Sequence, residues 1–247
     1  MTKLSVNINK VATLRNTRAV GYPSVLRAAR ICLDAGAQGI TVHPRPDERH
    51  IRPSDVTEVA ELLRGYPGVE YNIEGNPFHG LVEHARKVRP TQCTLVPDEV
   101  NVSTSDQGWD MRKDVHRLRP VIEQFHACGS RVSLFMDVGA DEEAVRLARE
   151  VGAERIELYT GTYAERFARG EGEASAVEYA RVARWALAAG LGVNAGHDLN
   201  LENLALFLRA VPNVLEVSIG HAVISDALEF GLAETVRKYL EAIRGST

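Results

Sequence analysis

The chain has 247 residues, 45% of them hydrophobic and 25% charged, and its formal net charge is -4. This mild acidity argues against a nucleic-acid surface or a polybasic membrane patch, because both need clustered positive charge. The amino-terminal segment lacks the apolar stretch of a signal peptide, and no apolar run approaches the roughly 20 residues that span a bilayer. Three cysteines without CxxC spacing are expected to be buried free thiols. We therefore expect a cytoplasmic protein without nucleic-acid or membrane partners.

Eight β-rich runs alternate with longer amphipathic segments along the whole chain. Most of these runs have Val, Ile, Leu or Thr in the middle and Gly, Pro or a charged residue at their ends, a pattern typical of strands. They are residues 4–8, 39–44, 69–74, 92–97, 131–137, 155–160, 191–196 and 215–221. Their number predicts an α/β fold, a closed (β/α)8 TIM barrel, with an open doubly wound sheet as the alternative. No linker-like stretch divides the chain, so residues 1–247 are expected to form a single catalytic domain.

The segments between the strands have helix boundary signals. One ends at Gly36, a second begins with Ser54 as candidate N-cap and ends at Gly65, and a third begins with acidic residues and ends at Gly152. The segment 98–110 is polar and too long for an ordinary connection. In a barrel, a long loop after the fourth strand is a candidate lid.

Polar side chains occur where six of the predicted strands end. In a barrel of this kind the active site lies at the carboxyl ends of the strands, so these residues are expected to share one site. They are Asn7, Asn9 and Lys10 in the first strand and its loop, His43, Arg45 and His50 in the second, Glu74 in the third, Glu157 in the sixth, His197 in the seventh, and Gly220 with His221 in the eighth.

The end of the eighth strand is a candidate phosphate site. Gly220 allows a ligand to approach the backbone, and the helix that follows it directs free N–H groups and the positive end of its dipole toward the mouth. Arg15, Arg18, Arg45 and Arg49 follow the first two strands and could bind a second anion through their guanidinium groups. Two anion sites indicate a bisphosphate or two phosphorylated substrates.

Each of the four reactive side chains also has a purely structural interpretation. His43 could be a hydrogen-bonded core residue, and Glu74 could form a salt bridge with a neighbouring arginine. Glu157 could be a structural partner of Arg18 or Lys10, and His197 could cap a helix.

The motifs in combination resemble those of the pyridoxine 5′-phosphate synthase family over the whole chain. In chain order they are VNI-x-x-VATLRN-x-R, GITVH-x-R-x-D-x-RHI, the N-I-E strand end, LVP with a Ser/Thr-rich loop, IELYTG-x-YA, VNAGH-x-L and IGHA. The resemblance implies a barrel with extra helices, a homo-octamer and neither a metal nor an organic cofactor. It also implies a transferase-class, ring-forming condensation of 1-deoxy-D-xylulose 5-phosphate with 3-amino-2-oxopropyl phosphate, with release of phosphate and water.

The same resemblance implies a role for each site residue. His43, Glu74 and His197 would be the acid/base residues, and Glu157 would stabilise charge in the transition state. The residues that would hold the substrates are Asn7, Arg18, Arg45, His50, Thr104, Asp198, Gly220 and His221.

The chain departs from the family pattern in two places. Asn9 and Lys10 stand where the family usually has Asp-His, and Asp198 stands where it usually has Gly. These changes put the affinity for substrate in question. Two other functions remain open: a metal-dependent hydrolase with His43, His197, His221 and Glu74 as ligands, and a phosphate-ligand binding or scaffold protein that has lost activity through the change at Asn9 and Lys10.

Overall fold

The computed structural model describes residues 1–98, 105 and 107–246. Its eight strands are all parallel and form a closed barrel in which each strand pairs with the next and the last pairs with the first. The strands are β1 (Lys3–Asn7), β2 (Gly39–Val42), β3 (Glu70–Gly75), β4 (Gln92–Leu95), β5 (Arg131–Met136), β6 (Arg155–Tyr159), β7 (Gly192–Gly196) and β8 (Val214–Ile219). All eight strand predictions are confirmed, and the open-sheet alternative is wrong.

Helices cover the outside of this barrel in the described part of the chain. They are α1 (Asn9–Asn16), α2 (Val25–Asp34), α3 (Pro53–Leu63), α4 (Val82–Val88), α5 (Met111–Ala127), α6 (Glu142–Glu150), α7 (Gly161–Ala168), α8 (Gly172–Ala188), α9 (Leu204–Ala210), α10 (His221–Phe230) and α11 (Leu232–Arg244). Two helices follow each of β1, β6 and β8, so α1, α7 and α10 are additions to the eight-fold repeat. The prediction of a barrel with extra helices is confirmed.

The strands alternate between apolar and polar residues, and this alternation separates the shell from the interior. In β8, Val217 and Ile219 are buried against the helices, whereas Glu216 and Ser218 project into the barrel. Their hydrogen bonds to Gln92 of β4 and Glu74 of β3 cross the interior, because β8 is adjacent to neither strand. The hydrophobic core therefore lies between the barrel and its helices, and the barrel interior is largely polar.

Two helix ends follow the predicted signals, and one helix start does not. Gly36 and Gly152 both have φ of 105°, the left-handed conformation that ends a helix at little cost for glycine. Ser54 is not an N-cap, because α3 already begins at Pro53, which has no N–H group to satisfy. The backbone N–H of Arg52 instead donates to Asp55 Oδ2 at 2.8 Å.

The proposed lid lies largely outside the described residues. Residues 99–104 and 106 are not described, so the prediction for 98–110 stays a prediction. Among the described helices, none combines the length and the apolar character needed to cross a bilayer.

Candidate active site

A cavity of about 430 Å³ opens at the carboxyl ends of the strands. Ten of the predicted site residues line it: His43, Glu74, Glu157, His197, Asn7, Arg45, His50, Asp198, Gly220 and His221. Arg18 is exposed and is not among the residues that line the cavity, and Thr104 lies outside the described residues. Six different strands thus bring the predicted polar residues together.

Glu74 lies near the end of β3 and is almost fully buried, with 4% of its surface exposed. Asn7 Nδ2 donates to its Oε2 at 3.4 Å, Ser218 Oγ donates to its Oε1 at 3.3 Å, and His43 Nδ1 lies 3.8 Å from Oε2. In the described part of the chain no arginine pairs with it. Burial raises the pKa of Glu74 well above its usual value, and the nearby Glu157 carboxyl raises it further. The salt-bridge interpretation of Glu74 is therefore wrong, and the surroundings of this carboxyl favour its protonated form.

Glu157 lies in β6, deeper in the barrel. Its Oε2 is 3.2 Å from the Thr94 hydroxyl, and neither Arg18 nor Lys10 pairs with it in the described structure. Burial and the Glu216 carboxylate raise the pKa of Glu157 to about 8. A Cβ atom on Gly196 would lie only 2.5 Å from Glu157 Oε1, so this carboxyl occupies space that the glycine leaves open.

His43 follows β2 directly and faces Glu74. Burial lowers the pKa of His43 well below 6.5, and the neighbouring His50, Arg45 and His197 lower it further. His50 lies beside it, with ring centroids 6.1 Å apart, and burial lowers the pKa of His50 to about 4. His43 is therefore neutral near pH 7 and can accept a proton.

His197 follows β7 directly and lies against two aromatic side chains. Its imidazole packs edge-on against Phe135 at 5.2 Å and against Tyr159 at 5.4 Å, measured between ring centroids. Burial lowers the pKa of His197 to about 4, while the Asp198 carboxylate partly offsets that effect. His197 precedes no helix start, since α9 begins at Leu204. The helix-cap interpretation is therefore wrong.

The backbone at His197 and Asp198 takes the left-handed conformation, with φ of 79° and 54°. This conformation costs about 1 kcal/mol or more for a residue with a Cβ atom, although Asp tolerates it better than most. The Thr160 hydroxyl lies within hydrogen-bond distance of the carbonyls of Gly196 and His197 and shares its one hydrogen between them, and Asn203 Nδ2 donates to the Asp198 carbonyl at 3.1 Å. These bonds hold both residues in place at the cavity.

The candidate phosphate site at the end of β8 has the expected geometry. Gly220 and His221 line the cavity, and α10 begins at His221. A Cβ atom on Gly220 would lie 3.0 Å from Asn7 Cβ and 3.1 Å from its carbonyl oxygen, so a larger residue would displace the end of β1. The N-terminus of a ten-residue helix therefore opens toward the cavity.

Cations surround the other part of the mouth, but not all of the predicted arginines are among them. Lys10, Arg45 and Arg49 line the cavity, and Arg45 Nη1 also bonds Asp98 Oδ2 at 3.2 Å. Arg15, predicted as an anion ligand, is instead buried, and its guanidinium group bonds Asp55 Oδ1 at 2.5 Å. That prediction for Arg15 is wrong, because its guanidinium group is buried against Asp55 and does not line the cavity.

Three side chains that support the reactive groups were not predicted in these roles. Ser218 and Thr94 bond the two carboxyls, and Asn9 Oδ1 accepts from the backbone N–H of His43 at 2.9 Å. The period-two alternation of polar residues in β4 and β8 is the signal that could have identified the first two. An Asp at position 9 could accept the same bond, so the departure at Asn9 leaves this contact intact.

The described residues include no group of three or more His, Cys, Asp and Glu side chains arranged to hold a metal ion. The ligand set of the hydrolase alternative is therefore not assembled in that part of the chain.

Comparisons with solved structures show the fold. A thiamine phosphate pyrophosphorylase from Pyrococcus furiosus matches with a TM-score of 0.63 at 14% identity, over 99% of this chain and 96% of that one. A 3-keto-L-gulonate-6-phosphate decarboxylase from Vibrio cholerae matches with a TM-score of 0.65 at 10% identity, over 98% and 97%. Identities this low carry no information about activity.

Comparisons with curated proteins show much closer relatives. A pyridoxine 5′-phosphate synthase from Albidiferax ferrireducens is 56% identical over 98% of this chain and 97% of its own length. Another from Xanthomonas campestris is 55% identical over 99% and 97%. The family model described as "Pyridoxal phosphate biosynthesis protein PdxJ" matches residues 4–245. The chain therefore belongs to the PdxJ family of pyridoxal phosphate biosynthesis proteins.

Proposed function

We propose that this cavity is where the chain synthesises pyridoxine 5′-phosphate, an enzymatic step of vitamin B6 biosynthesis that forms a ring by condensation. The observation that carries the proposal is the convergence of His43, Glu74, Glu157 and His197 on one cavity beside the Gly220–His221 helix start. The substrates are 1-deoxy-D-xylulose 5-phosphate and 3-amino-2-oxopropyl phosphate. The whole chain, 1–247, acts as one catalytic domain.

The protonation states of the four side chains suit the opening condensation. The substrate amine attacks the ketone carbon of the partner substrate, a C–N bond forms, and the carbonyl oxygen becomes a hydroxyl. Neutral His43 accepts the first proton that the nitrogen loses and passes it to the carbonyl oxygen, which gives the hydroxyl. Protonated Glu74 then donates a proton to this hydroxyl, which leaves as water, and the Glu74 carboxylate takes the second proton from the nitrogen. The products of this step are an imine and water, and no catalytic lysine is needed because the substrate supplies the amine.

The later steps require the same kind of proton transfer. His197 is placed to protonate a leaving phosphate or hydroxyl once it has taken a proton from substrate. Glu157, held protonated, can donate a hydrogen bond to an oxygen that gains negative charge in the transition state. His43 and Glu74, 3.8 Å apart, can return each other to the starting protonation state.

The two phosphates are assigned to different parts of the mouth. One binds the backbone N–H groups at Gly220 and His221, with Asp198 offering its own N–H. The other binds near Arg45 and His50, where Lys10 and Arg49 add positive charge. Asn7 orients substrate, while Arg18 and Thr104 stay proposed ligands that only a substrate complex can test.

We further propose that the enzyme is a cytoplasmic homo-octamer. Sedimentation analysis of the purified protein would give the number of chains per particle, and a monomer at micromolar concentration would contradict this assignment.

The activity is tested by mixing the two substrates with purified protein. We expect pyridoxine 5′-phosphate, identified by its mass and its absorbance, and an equal amount of inorganic phosphate. Reactions that lack one substrate are the control and should give neither. Absence of product with both substrates present would contradict the proposal.

A further inference from the structure

A second ring of charged residues lies inside the barrel below the active site, at the amino-terminal ends of the strands. In this ring Lys3 and Arg131 both bond the Glu70 carboxylate. Arg155 Nη1 donates to Asn194 Oδ1 at 3.1 Å. The remaining charged member, Glu216, has no assigned role in the site above it.

Glu216 occupies the centre of the barrel with 1% of its surface exposed. Its strand register places it beside Lys3 of β1 and Asn194 of β7. Its Oε1 accepts from Gln92 Nε2 and Asn194 Nδ2, both at 3.4 Å, and no cation of the described chain lies within ion-pair distance of it. Long bonds to neutral amides leave much of a negative charge unneutralised by direct contact.

The charges around Glu216 come from every strand that packs against it. Burial raises the pKa of Glu216 above its usual value, and Arg155, Arg131 and Lys3 oppose that rise. Three cations face two carboxylates in this ring, so its charges favour an ionised Glu216. The charged and titratable groups that face it are Lys3 on β1, Glu70 on β3, Arg131 on β5, and Arg155 with Glu157 on β6.

The groups that face Glu157 are fewer. From β4 the Thr94 hydroxyl bonds its carboxyl, and Gln92, two residues earlier on the same face of β4, bonds the Glu216 carboxyl. In the strand register Asn194 of β7 is the partner of both Glu157 and Glu216, so the two carboxyls lie in adjacent positions, and Glu74 approaches Glu157 from β3. None of these groups is a cation, and Glu216 is the one that lies on the side away from the cavity. An ionised Glu216 therefore opposes a negative charge on Glu157 through a medium that screens poorly.

We propose that Glu216 is a positioning residue that acts through Glu157: its buried charge keeps the Glu157 carboxyl protonated and so able to donate a hydrogen bond to substrate. The inference deepens the proposed function and rests on it for the role of Glu157. The charged ring below the site thereby sets the protonation state of the site. In agreement, burial and Glu216 are the two influences that raise the pKa of Glu157.

The test compares the isosteric variant Glu216→Gln with the wild-type chain. The infrared band of the protonated Glu157 carboxyl, assigned with Glu157→Gln, is followed as a function of pH without substrate. In Glu216→Gln we expect the titration midpoint to fall by about one pH unit, because the like charge is gone. The alkaline limb of the kcat/KM profile should move down by a similar amount.

Two further variants separate charge from structure. Glu216→Asp keeps the carboxylate, and its midpoint should stay close to that of the wild-type chain. Arg155→Met removes the cation that most favours ionised Glu216, and Arg155 is not among the influences on Glu157 itself. The titration midpoint of Glu157 in Arg155→Met should therefore also fall. Loss of a cation that acted directly on Glu157 would instead raise this midpoint.

An unchanged Glu157 midpoint in Glu216→Gln and Arg155→Met would overturn the inference, as would an equal shift in Glu216→Asp and Glu216→Gln. If Glu216→Gln does not fold, Arg155→Met and Glu216→Asp still decide the matter. The infrared titration needs no turnover. A failure of the inference about Glu216 can therefore be distinguished from a failure of the proposed reaction.

Discussion

At the residue scale, burial favours the neutral form of each catalytic group. Carboxyls are ordinarily ionised at pH 7, yet the pKa of Glu74 is raised well above its usual value and that of Glu157 to about 8. Imidazoles ordinarily titrate near 6.5, yet the pKa of His197 is lowered to about 4. The site therefore offers neutral bases beside neutral acids, which suits a reaction that moves protons without accumulating charge.

Replacing Glu74 with Gln tests its role as acid. The amide keeps the size of the side chain and can still bond Asn7 and Ser218, but it cannot donate and recover a proton. We expect kcat to fall about 100-fold or more. Binding of inorganic phosphate, measured by calorimetry, should change little, because the proposed anion sites lie elsewhere.

Ser218→Ala is the matched control for this variant. It removes a hydrogen bond to Glu74 Oε1 and keeps the carboxyl, so kcat should fall by less than about 10-fold. Turnover like that of the wild-type chain in Glu74→Gln would remove this residue from the mechanism.

Sequence alone identifies reactive residues better than it identifies their partners. His43, Glu74, Glu157 and His197 could be found because each lies at or near a strand end. Arg15 could not be interpreted correctly, because the partner that neutralises it, Asp55, lies 40 residues away on α3. The polar faces of β4 and β8 were visible as a period-two pattern, but their contacts depend on which strands lie opposite each other across the barrel.

At the element scale, the turn after β7 holds Asp198 in a backbone conformation that is unfavourable for a residue with a Cβ atom. Asp198 has φ of 54°, a conformation that glycine adopts freely and alanine does not. We expect Asp198→Gly to be more stable than Asp198→Ala by about 1 kcal/mol in urea unfolding. Both variants lose the same carboxylate, so the difference between their free energies of unfolding isolates the cost of the backbone conformation. Equal stability would mean that the turn changes conformation in one of them.

The end of β7 also limits the size of the residue beside Glu157. In Gly196→Ala the new Cβ would lie 2.5 Å from Glu157 Oε1 and 3.1 Å from the Ser218 carbonyl oxygen, so the carboxyl must move. Since small displacements of catalytic groups are costly, we expect kcat to fall about 10-fold or more. Steady-state kinetics with both substrates would measure this loss.

Gly139→Ala is the matched control for Gly196→Ala. A Cβ atom there would meet nothing within 4 Å, and this glycine does not need a positive φ. Its kcat should equal that of the wild-type chain. An unchanged kcat in Gly196→Ala would show that the position of Glu157 is not critical.

At the scale of the whole molecule, the fold was predictable because its signals repeat. Eight strands, each bounded by turn residues, give the same information eight times, so an error in one boundary does not change the result. Gly36 and Gly152 likewise mark the same helix-to-strand turn in two repeats. The charged ring around Glu216 was not predicted, because it exists only once the barrel closes and brings β1, β6 and β8 together.

The buried catalytic groups also make the stability of the whole molecule depend on pH. Between about pH 4.5 and 8 the Glu157 carboxyl stays protonated in the folded chain and ionises in the unfolded chain. The unfolded state then binds fewer protons, so the free energy of unfolding falls as the pH rises through this window. For His197 the dependence of stability on pH is opposite. Below about pH 6.5 its imidazole is protonated in the unfolded chain, whereas in the folded chain it stays neutral until about pH 4. The contribution of His197 to the free energy of unfolding is therefore lost as the pH falls.

Glu157→Gln and His197→Asn should reveal these two opposed trends. Relative to the wild-type chain, Glu157→Gln should gain roughly 3 to 5 kcal/mol of stability between pH 4.5 and 8, because it removes the group whose ionisation is prevented. His197→Asn should gain roughly 2 to 3 kcal/mol as the pH falls from 6.5 to 4. Urea unfolding at one fixed protein concentration measures both. Stability curves that run parallel for all three proteins would mean that neither group keeps its shifted pKa in solution, and the proton transfers assigned to them would have to be reassigned.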